Sequence, residues 1–356
     1  DVLREADVIE EILRIYGYNN VEFSEKIKSN IAYTEKPDKE KLINTTAQLL
    51  SDNGFHEIMA MSLSKADYYE DLKTFPREKL VELHNPLSAD LGVMRQTLLF
   101  GGLDAVAHNL NRRKHNLRLY EFGYCYSKDQ NSGRESYQKY KLAGYTEEYH
   151  LGLFLTGNIQ EASWLSGDKK AGFYHIKAYV ENILERFGAA VSDLQIQEIS
   201  NDIFAYGISF LNQKKEEIAE FGLVHPGITR QFDIEQEVFY ADIQWEPYVD
   251  LIRDHKPRFT GLPKFPEVKR DLALLLDKGI EYKRIEEIAR KTEKKLLKNI
   301  NLFDVYEGKN IEEGKKSYAV SFILQDENKT LTDKQIDKVM RRMMKAFEKE
   351  LNAKIR

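Results

Sequence analysis

The chain has 356 residues, of which 42% are hydrophobic and 31% charged, and this composition is typical of a folded protein with two or three domains. No apolar run reaches the roughly 18 residues that a membrane-spanning helix needs. A single cysteine, Cys125, excludes an internal disulfide framework and a thiolate zinc site of the usual kind, and it favours a reducing cytosol. Because the first residue is Asp and a helical pattern starts at once, we expect a fragment of a longer chain.

Charge is distributed unevenly along the chain. Residues 260–356 hold 23 lysines and arginines against 17 aspartates and glutamates, whereas residues 1–259 hold 30 against 41. A basic C-terminal module on an acidic body hints at a polyanionic partner. Surface lysine also serves solubility, so the charge alone does not settle the partner.

The first two thirds of the chain predict a mixed domain. Apolar residues recur at helical spacing over residues 5–16, and Gly17 supplies the stop. Further helices are predicted from about Asp38 to Ser51, from about Leu98, and over residues 173–187. The predicted strands are 117–126, 150–156, 204–211, 217–224 and 237–244. This order indicates one α+β domain built on an antiparallel sheet.

Two prolines, a glycine and several charges in residues 254–263 mark a domain boundary. Beyond it the pattern predicts strand, helix, strand, strand, helix and a short last strand, at residues 270–277, 281–295, 296–306, 316–325, 332–351 and 353–356. The order β-α-β-β-α-β is typical of the ferredoxin-like fold.

One face of this C-terminal sheet is a candidate nucleic-acid surface. In strand 316–325, apolar residues alternate with small polar ones, and in strand 296–306 we expect Phe303 and Val305 to point one way and Asp304 and Tyr306 the other. Both helices cover one side of such a sheet. The open side, with small residues, an aromatic ring and basic surroundings, can take unstacked bases of an RNA loop. A solvated or partner-covered sheet is the alternative.

Carboxylates cluster at the start of the first helix. Asp7, Glu10 and Glu11 fall at i, i+3 and i+4 and share one helix face, to which Asp1 can fold back. Like charges at this spacing repel by about 0.2–0.5 kcal/mol per pair. From spacing alone a solvated acidic face is favoured, although Mg²⁺ takes carboxylate oxygens as ligands.

Four stretches resemble one known domain: KFPEVKRDLALLLD, LLKNINLFDVYEG, EEGKKSYAVSFILQDENKTLTDKQID and the closing LNAKIR. They are similar to the ferredoxin-fold anticodon-binding domain of bacterial phenylalanyl-tRNA synthetase β subunits. The stretch NPLSADLGVMRQTLLFGGLDAVAHNLNRRKHNLRLYEFGYCY resembles the class II synthetase-like core of that family, and DVLREADVIEEILRIYGYNN resembles the end of the domain before the core. The three regions, namely the end of the preceding domain, the core and the anticodon-binding domain, occur in the same order as in the family.

The resemblance implies an α+β fold with three parts. Residues 1–30 would be the end of a metal-binding domain, residues 31–255 a class II synthetase-like antiparallel sheet core, and residues 262–356 the ferredoxin-like βαββαβ anticodon-binding domain. It also implies that the core does not catalyse, because the α subunit of the family carries the active site.

The residues of the core agree with a non-catalytic role. A catalytic class II site needs one arginine for the ATP α-phosphate and a second that opens a late helix. Arg113 or Arg118 could be offered for the first and Arg230 for the second, but none sits in the glycine-rich, acidic setting required. No Ser/His/Asp or Walker pattern occurs, and we predict no catalytic residue in this chain.

For the sites, the resemblance implies that Asp1, Asp7, Glu10 and Glu11 are magnesium ligands at a site shared with the α subunit. We predict RNA contacts at five residues of the last domain: Arg270, Asp304, Tyr306, Lys316 and Ser317.

The implied assembly is a cytoplasmic α2β2 heterotetramer that uses ATP, at the α subunit, to attach phenylalanine to tRNA(Phe). We expect the fragment alone to be inactive and, without the upstream editing domain, unable to edit mischarged tRNA. The alternative is a non-catalytic RNA-binding scaffold protein without a synthetase partner.

Overall fold

The computed structural model describes residues 4–22, 26, 37–128, 144–256, 259, 261–308 and 311–355. The chain divides into two compact units, residues 1–257 and 258–356. Throughout the described ranges, each helix is too short or too polar to cross a lipid bilayer.

The helices of the first unit are α1 Glu5–Tyr16, α2 Lys39–Asp52, α3 Leu99–Leu110, α4 Phe173–Arg186, α5 Pro226–Thr229 and α6 Trp245–Ile252. Individual residues explain where α2 begins and where α1 ends. The side chain of Asp38 accepts a hydrogen bond from the Lys41 amide at 3.2 Å and caps α2. Gly17 ends α1 at a φ of 91°, in the left-handed region that glycine enters without strain.

The strands of the first unit are β1 His56–Glu57, β2 Leu63–Ser64, β3 Val93–Met94, β4 Leu117–Lys128, β5 Tyr145–Thr156, β6 Asn158–Gln160, β7 Lys169–Lys170, β8 Gln195–Ile199, β9 Phe204–Leu211, β10 Glu217–Val224 and β11 Val238–Gln244. Seven of them form one sheet in the order β1-β4-β5-β11-β10-β9-β8. Only the short β1–β4 pair in this described sheet is parallel. The prediction of an α+β domain on a mainly antiparallel sheet is confirmed.

This sheet has an apolar layer on each face. Leu153 and Trp245 belong to one layer, which also takes side chains from α2 and α4, whereas the neighbouring Phe154 belongs to the other layer, with α3. Each such side chain contributes about 1.5–3 kcal/mol when fully buried. A polar residue in the sheet interior is costly unless a partner satisfies it.

The second unit contains β12 Val268–Asp277, α7 Tyr282–Thr292, β13 Leu297–Tyr306, β14 Lys315–Leu324, α8 Asp333–Leu351 and β15 Lys354–Ile355. Its four strands lie antiparallel in the order β13-β14-β12-β15, and apolar residues of α7 and α8 bury one face. This topology confirms the ferredoxin-like prediction.

Helix α7 ends three residues earlier than predicted. Glu293 is extended, and its carboxylate accepts hydrogen bonds from the amides of Lys295 and Leu296 at 3.1 and 3.2 Å. This side chain offers the backbone an alternative to continuing the helix.

Strand β13 departs from simple alternation at Phe303. Leu302 and Asp304 pair with consecutive residues of β14, so the register shifts by one residue between them. The Phe303 ring centroid lies 5.5 Å from Nζ of Lys269, whose strand position faces away from the helices. The prediction that Phe303 points with Val305 is therefore wrong, since the bulge turns Phe303 to the side that the helices leave open.

Candidate functional sites

The sheet of the second unit has one face that α7 and α8 do not cover, called here the open face. It is built from β12, β13 and β14 by Lys269, Asp271, Phe303, Asp304, Tyr306, Ser317, Ala319 and Ser321. Phe303 is 52% exposed and Tyr306 41% exposed, while Ser321 is 1% exposed. The Ser321 hydroxyl donates to Oδ1 of Asp271 at 2.6 Å. The open face thus has small side chains at Ser317, Ala319 and Ser321, with Leu275 and Ile323 on the same face and two aromatic rings at the edge strand.

The position of Tyr306 depends on Gly308. A Cβ atom at residue 308 would lie 2.2 Å from the Tyr306 hydroxyl oxygen and 2.3 Å from Cζ. Because atoms cannot approach so closely, the ring occupies space that any other residue at 308 would take.

Three of the five predicted RNA contacts come together on the open face. Tyr306 pairs with Ser317, and Asp304 pairs with the neighbouring Ala319. These side chains offer an aromatic ring, a carboxylate acceptor and a small buried hydroxyl within one patch.

The other two predicted contacts, Arg270 and Lys316, lie on the helix-covered face of the sheet, so the structure does not bring them together with the first three. Arg270 pairs with Phe322, and its guanidinium is 3.7 Å from Asp333 at the start of α8. Lys316 is only 9% exposed, and its ammonium lies 4.6 Å from the Tyr318 ring centroid. Side chains alternate between the two faces along a strand, and both residues occupy positions that point away from the open face.

The carboxylates of α1 are not gathered into a metal site. Oδ2 of Asp7 accepts from the Arg4 amide at 2.9 Å, and Glu11 forms an ion pair with Arg14 at 2.8 Å. Asp1 lies outside the described residues. Within the described ranges, no three His, Cys, Asp or Glu residues are placed to hold a metal ion. The carboxylate donors suit Mg²⁺ chemically, but binding requires them to turn together.

The first unit contains a buried ion pair that sequence reasoning missed. Nη1 of Arg95 lies 2.6 Å from Oε1 of Glu121, and the two side chains are 6% and 1% exposed. Burial raises the pKa of Glu121, and Arg95 opposes that rise. A Cβ at Gly123 would lie 2.0 Å from the Arg95 guanidinium, so the glycine makes room for it. The one sequence feature that could have indicated this pair was Gly123, a glycine inside the aromatic-rich strand β4.

A second buried polar cluster lies on the same sheet. Nδ1 of His150 is 2.5 Å from Asp242, which also accepts from the Tyr240 hydroxyl at 2.8 Å. Burial disfavours the charged ring, but the charge of Asp242 and hydrogen bonds to Asp242 and Glu148 outweigh it and raise the pKa of His150 to about 10. The imidazole therefore stays charged at neutral pH and cannot accept a proton there.

The three arginines considered for ATP binding either bond to nearby backbone carbonyls or lie in turns. The guanidinium of Arg118 donates to the carbonyls of Asn53 and Ile159 at 2.7 and 2.6 Å and so ties together three segments. Arg113 has a φ of 61° in the turn after α3, and Arg230 lies in the short turn after α5. Arg118 therefore holds the fold together at this site.

Comparison with known sequences finds two family matches. Residues 24–245 match the family described as phenylalanyl tRNA synthetase beta chain CLM domain, and residues 263–356 match the ferredoxin-fold anticodon binding domain. Among solved structures, a pyrrolysyl tRNA synthetase from Desulfitobacterium hafniense is similar at 15% identity and a TM-score of 0.44, covering 60% of this chain and 68% of that one.

Relatives match over the whole chain. Phenylalanine–tRNA ligase beta subunits are 49% identical in Bacteroides fragilis, 50% in Bacteroides thetaiotaomicron and 33% in Fusobacterium nucleatum. The alignments cover 100% of this chain and 43% of each relative, so the chain spans less than half of their length. With one family matching most of the chain and the other matching the ferredoxin-like unit, the chain belongs to the phenylalanyl-tRNA synthetase beta chain family.

Proposed function

We propose that this chain is the core and anticodon-binding portion of the β subunit of a phenylalanine–tRNA ligase. It holds the catalytic α subunit in a cytoplasmic α2β2 heterotetramer and binds the anticodon region of tRNA(Phe), while the α subunit uses ATP to attach phenylalanine. The observation that carries this proposal is the open face. Two exposed rings, Phe303 and Tyr306, border a floor of small residues in a unit matching an anticodon-binding family.

The open face suits unpaired bases physically. An unstacked base gains about 1–3 kcal/mol by stacking on an aromatic side chain. Tyr306 and Phe303 provide the rings, the Asp304 carboxylate accepts hydrogen bonds from base amino groups, and Ser317 keeps the floor low enough for close approach. Arg270 and the largely buried Lys316 add positive charge from the other side without touching a base.

The domain assignment follows the same reasoning. Residues 1–30 form the end of a metal-binding domain, 31–255 the non-catalytic core that docks the α subunit, and 262–356 the anticodon-binding domain. The apolar side of α1 supports the first assignment, because Ile12 and Ile15 are 61% and 81% exposed and need a covering surface.

The proposed magnesium ligands are Asp1, Asp7, Glu10 and Glu11, completed by the α subunit. The helix face shared by Asp7, Glu10 and Glu11 supports the proposal, and bound Mg²⁺ would neutralise their mutual repulsion. We expect calorimetric titration with Mg²⁺ to show binding by the αβ complex and none by this chain alone. Glu10→Gln should weaken binding in the complex, whereas Glu5→Gln, five residues earlier and on the other side of the helix, should not. Binding by this chain alone would contradict completion by the partner.

Reconstitution tests the function. The chain is mixed with the α subunit of the same organism, complex formation is measured by size-exclusion chromatography, and aminoacylation of tRNA(Phe) is assayed. We expect a stable complex, and no ATP–pyrophosphate exchange by this chain alone. If the chain binds tRNA but forms no complex, it is an RNA-binding scaffold without a synthetase partner.

A further inference from the structure

Helix α8 carries a row of cations along its outward face. Lys334, Lys338, Arg341 and Lys345, called here the α8 row, follow one another at i, i+4, i+7 and i+11, and all four are exposed. The opposite side of the helix is buried against the sheet. At 1.5 Å per residue, the α8 row is about 16 Å long.

The α8 row differs from an ordinary solvated helix face. Within the described residues, none of its four cations has a carboxylate oxygen within 4.0 Å, although Asp337 lies among them, and the adjacent Arg342 is paired with Glu293. Like charges at i, i+4 destabilise a helix by about 0.2–0.5 kcal/mol per pair. Asp337, three residues after Lys334 and four before Arg341, offsets part of this repulsion, and an anionic partner would remove the rest.

Helix α7 of the same unit shows the alternative arrangement. Arg284 lies 3.5 Å from Glu287, and Arg290 lies 2.8 Å from Glu286, each pair within one turn. The arginines of α7 are thus neutralised by their own helix. This contrast within one unit argues that the α8 row is not simply a solubility feature.

The chemistry of the α8 row fits a nucleic-acid backbone best. No large apolar side chain of α8, which lies wholly in the described range, is among the exposed hydrophobic residues. An amphipathic helix that inserts into a membrane surface presents an apolar face, and a protein partner usually engages aromatic or apolar anchors. Successive phosphates require only positive charges in line.

We propose that the α8 row binds the phosphodiester backbone of RNA on the side of the unit opposite the open face. The inference rests on the proposed function, because it takes the RNA that the open face is proposed to hold. It adds a second contact with a different segment of that RNA, one that reads charge and not sequence. The two surfaces together would grip the RNA from both sides of the sheet.

The test uses the full 356-residue chain and fluorescence anisotropy with two labelled probes, tRNA(Phe) and the same tRNA with a replaced anticodon. The triple variant Lys338→Gln, Arg341→Gln, Lys345→Gln is compared with Lys283→Gln, Arg284→Gln, Arg290→Gln on α7. Both remove three exposed cations, and circular dichroism verifies folding. Affinity is measured at several salt concentrations.

We expect the α8 variant to bind both probes about 10-fold or more weakly at low salt, and its slope of log affinity against log salt to be shallower by about 2. The α7 control should change the slope by less than half as much. An unchanged slope, or an equal change in the α7 control, overturns the inference. The inference is also overturned if the α8 variant binds RNA as the wild type does but no longer binds polyglutamate, an acidic polypeptide. The partner of the row would then be an acidic protein.

The result also separates this inference from the proposed function. A Tyr306→Ala variant should lose discrimination between the two probes while keeping the salt slope. Suppose that the wild-type chain binds both probes equally but the α8 variant has a shallower dependence of log affinity on log salt. The anticodon role is then wrong and RNA binding by the α8 row is supported. If the wild-type chain prefers tRNA(Phe) and the α8 variant keeps the wild-type salt dependence, RNA binding by the α8 row is wrong and the anticodon role is supported.

Discussion

Nζ of Lys269 lies 5.5 Å from the centroid of the Phe303 ring, although their strands, β12 and β13, are not neighbours in the sheet. Strand β14 runs between them, and three of its open-face residues, Ser317, Ala319 and Ser321, are small, whereas Ile323 lies opposite Lys269. The two long side chains can therefore meet above β14. Such a contact contributes about 0.5–1 kcal/mol at an exposed site, enough to orient the ring before a ligand arrives.

This geometry predicts that Phe303→Ala weakens binding of the anticodon stem-loop. Loss of one stacking ring costs about 1–3 kcal/mol, which corresponds to roughly 5- to 150-fold in affinity. The measurement is anisotropy of a labelled tRNA(Phe) anticodon stem-loop at fixed salt. Val305→Ala is the matched control, because Val305 is 49% exposed on the same strand but pairs with Tyr318 on the other face. Equal losses in both variants would mean that the open face is not the binding surface.

A second prediction concerns Gly308. The Cβ of Gly308→Ala would lie 2.2 Å from the Tyr306 hydroxyl, so the ring must move although no aromatic group is removed. We expect stem-loop affinity between that of the wild type and Tyr306→Ala. Gly279→Ala is the control, since a Cβ there meets no atom within 4 Å. Wild-type affinity for Gly308→Ala would show that the position of the ring does not matter.

Periodic features of the fold were predictable from sequence. Alternation over strands 270–277 and 316–325, with helical spacing over 332–351, predicted the ferredoxin-like order that the structure confirms. In the same way, Ser317, Ala319 and Ser321 predicted a stretch of small side chains on one face of β14. These features depend on neighbours in the chain, so local patterns report them.

Features that depend on distant residues could not be predicted. The bulge at Phe303 is fixed by pairing with β14. The ion pair between Arg95 and Glu121 joins residues 26 positions apart, and nothing in either local pattern indicates the other. Such contacts are determined by tertiary packing.

The Arg95–Glu121 pair gives a third prediction, on stability. In Gly123→Ala the new Cβ would lie 2.0 Å from the guanidinium, and overpacking of this kind costs about 1–3 kcal/mol. Arg95→Ala should cost more, about 3–5 kcal/mol, because it leaves Glu121 buried and unpaired. Urea unfolding followed by tryptophan fluorescence measures both, since Trp164 and Trp245 lie in the first unit.

The control for the stability series is Gly167→Ala, also in the first unit, where a Cβ meets no atom within 4 Å. We expect its midpoint to stay within error of the wild type. If Gly123→Ala is equally silent, Arg95 has another position available, and the close fit at Gly123 does not stabilise the fold.

The fourth prediction is that the first unit loses stability as pH rises. The raised pKa of His150, about 10, means that its contribution is complete below its ordinary value of 6.5 and is lost as pH rises toward 10. Burial, then the charges of Glu217 and Asp242, raise the pKa of Glu220 to about 8, so its contribution is complete below 4.5 and is lost toward pH 8.

Each of these two groups can lower the free energy of unfolding by at most about 1.4 kcal/mol per pH unit within its window. Urea unfolding from pH 5 to 10, followed by tryptophan fluorescence, measures the slope. His150→Gln should flatten the curve above pH 6.5, and Glu220→Gln should flatten it below pH 8, because each variant removes the group whose protonation differs between the folded and unfolded states. A wild-type curve that rises over this range would contradict both shifts, and a His150→Gln curve with the wild-type shape above pH 6.5 would show that Asp242 does not hold His150 charged in the folded protein.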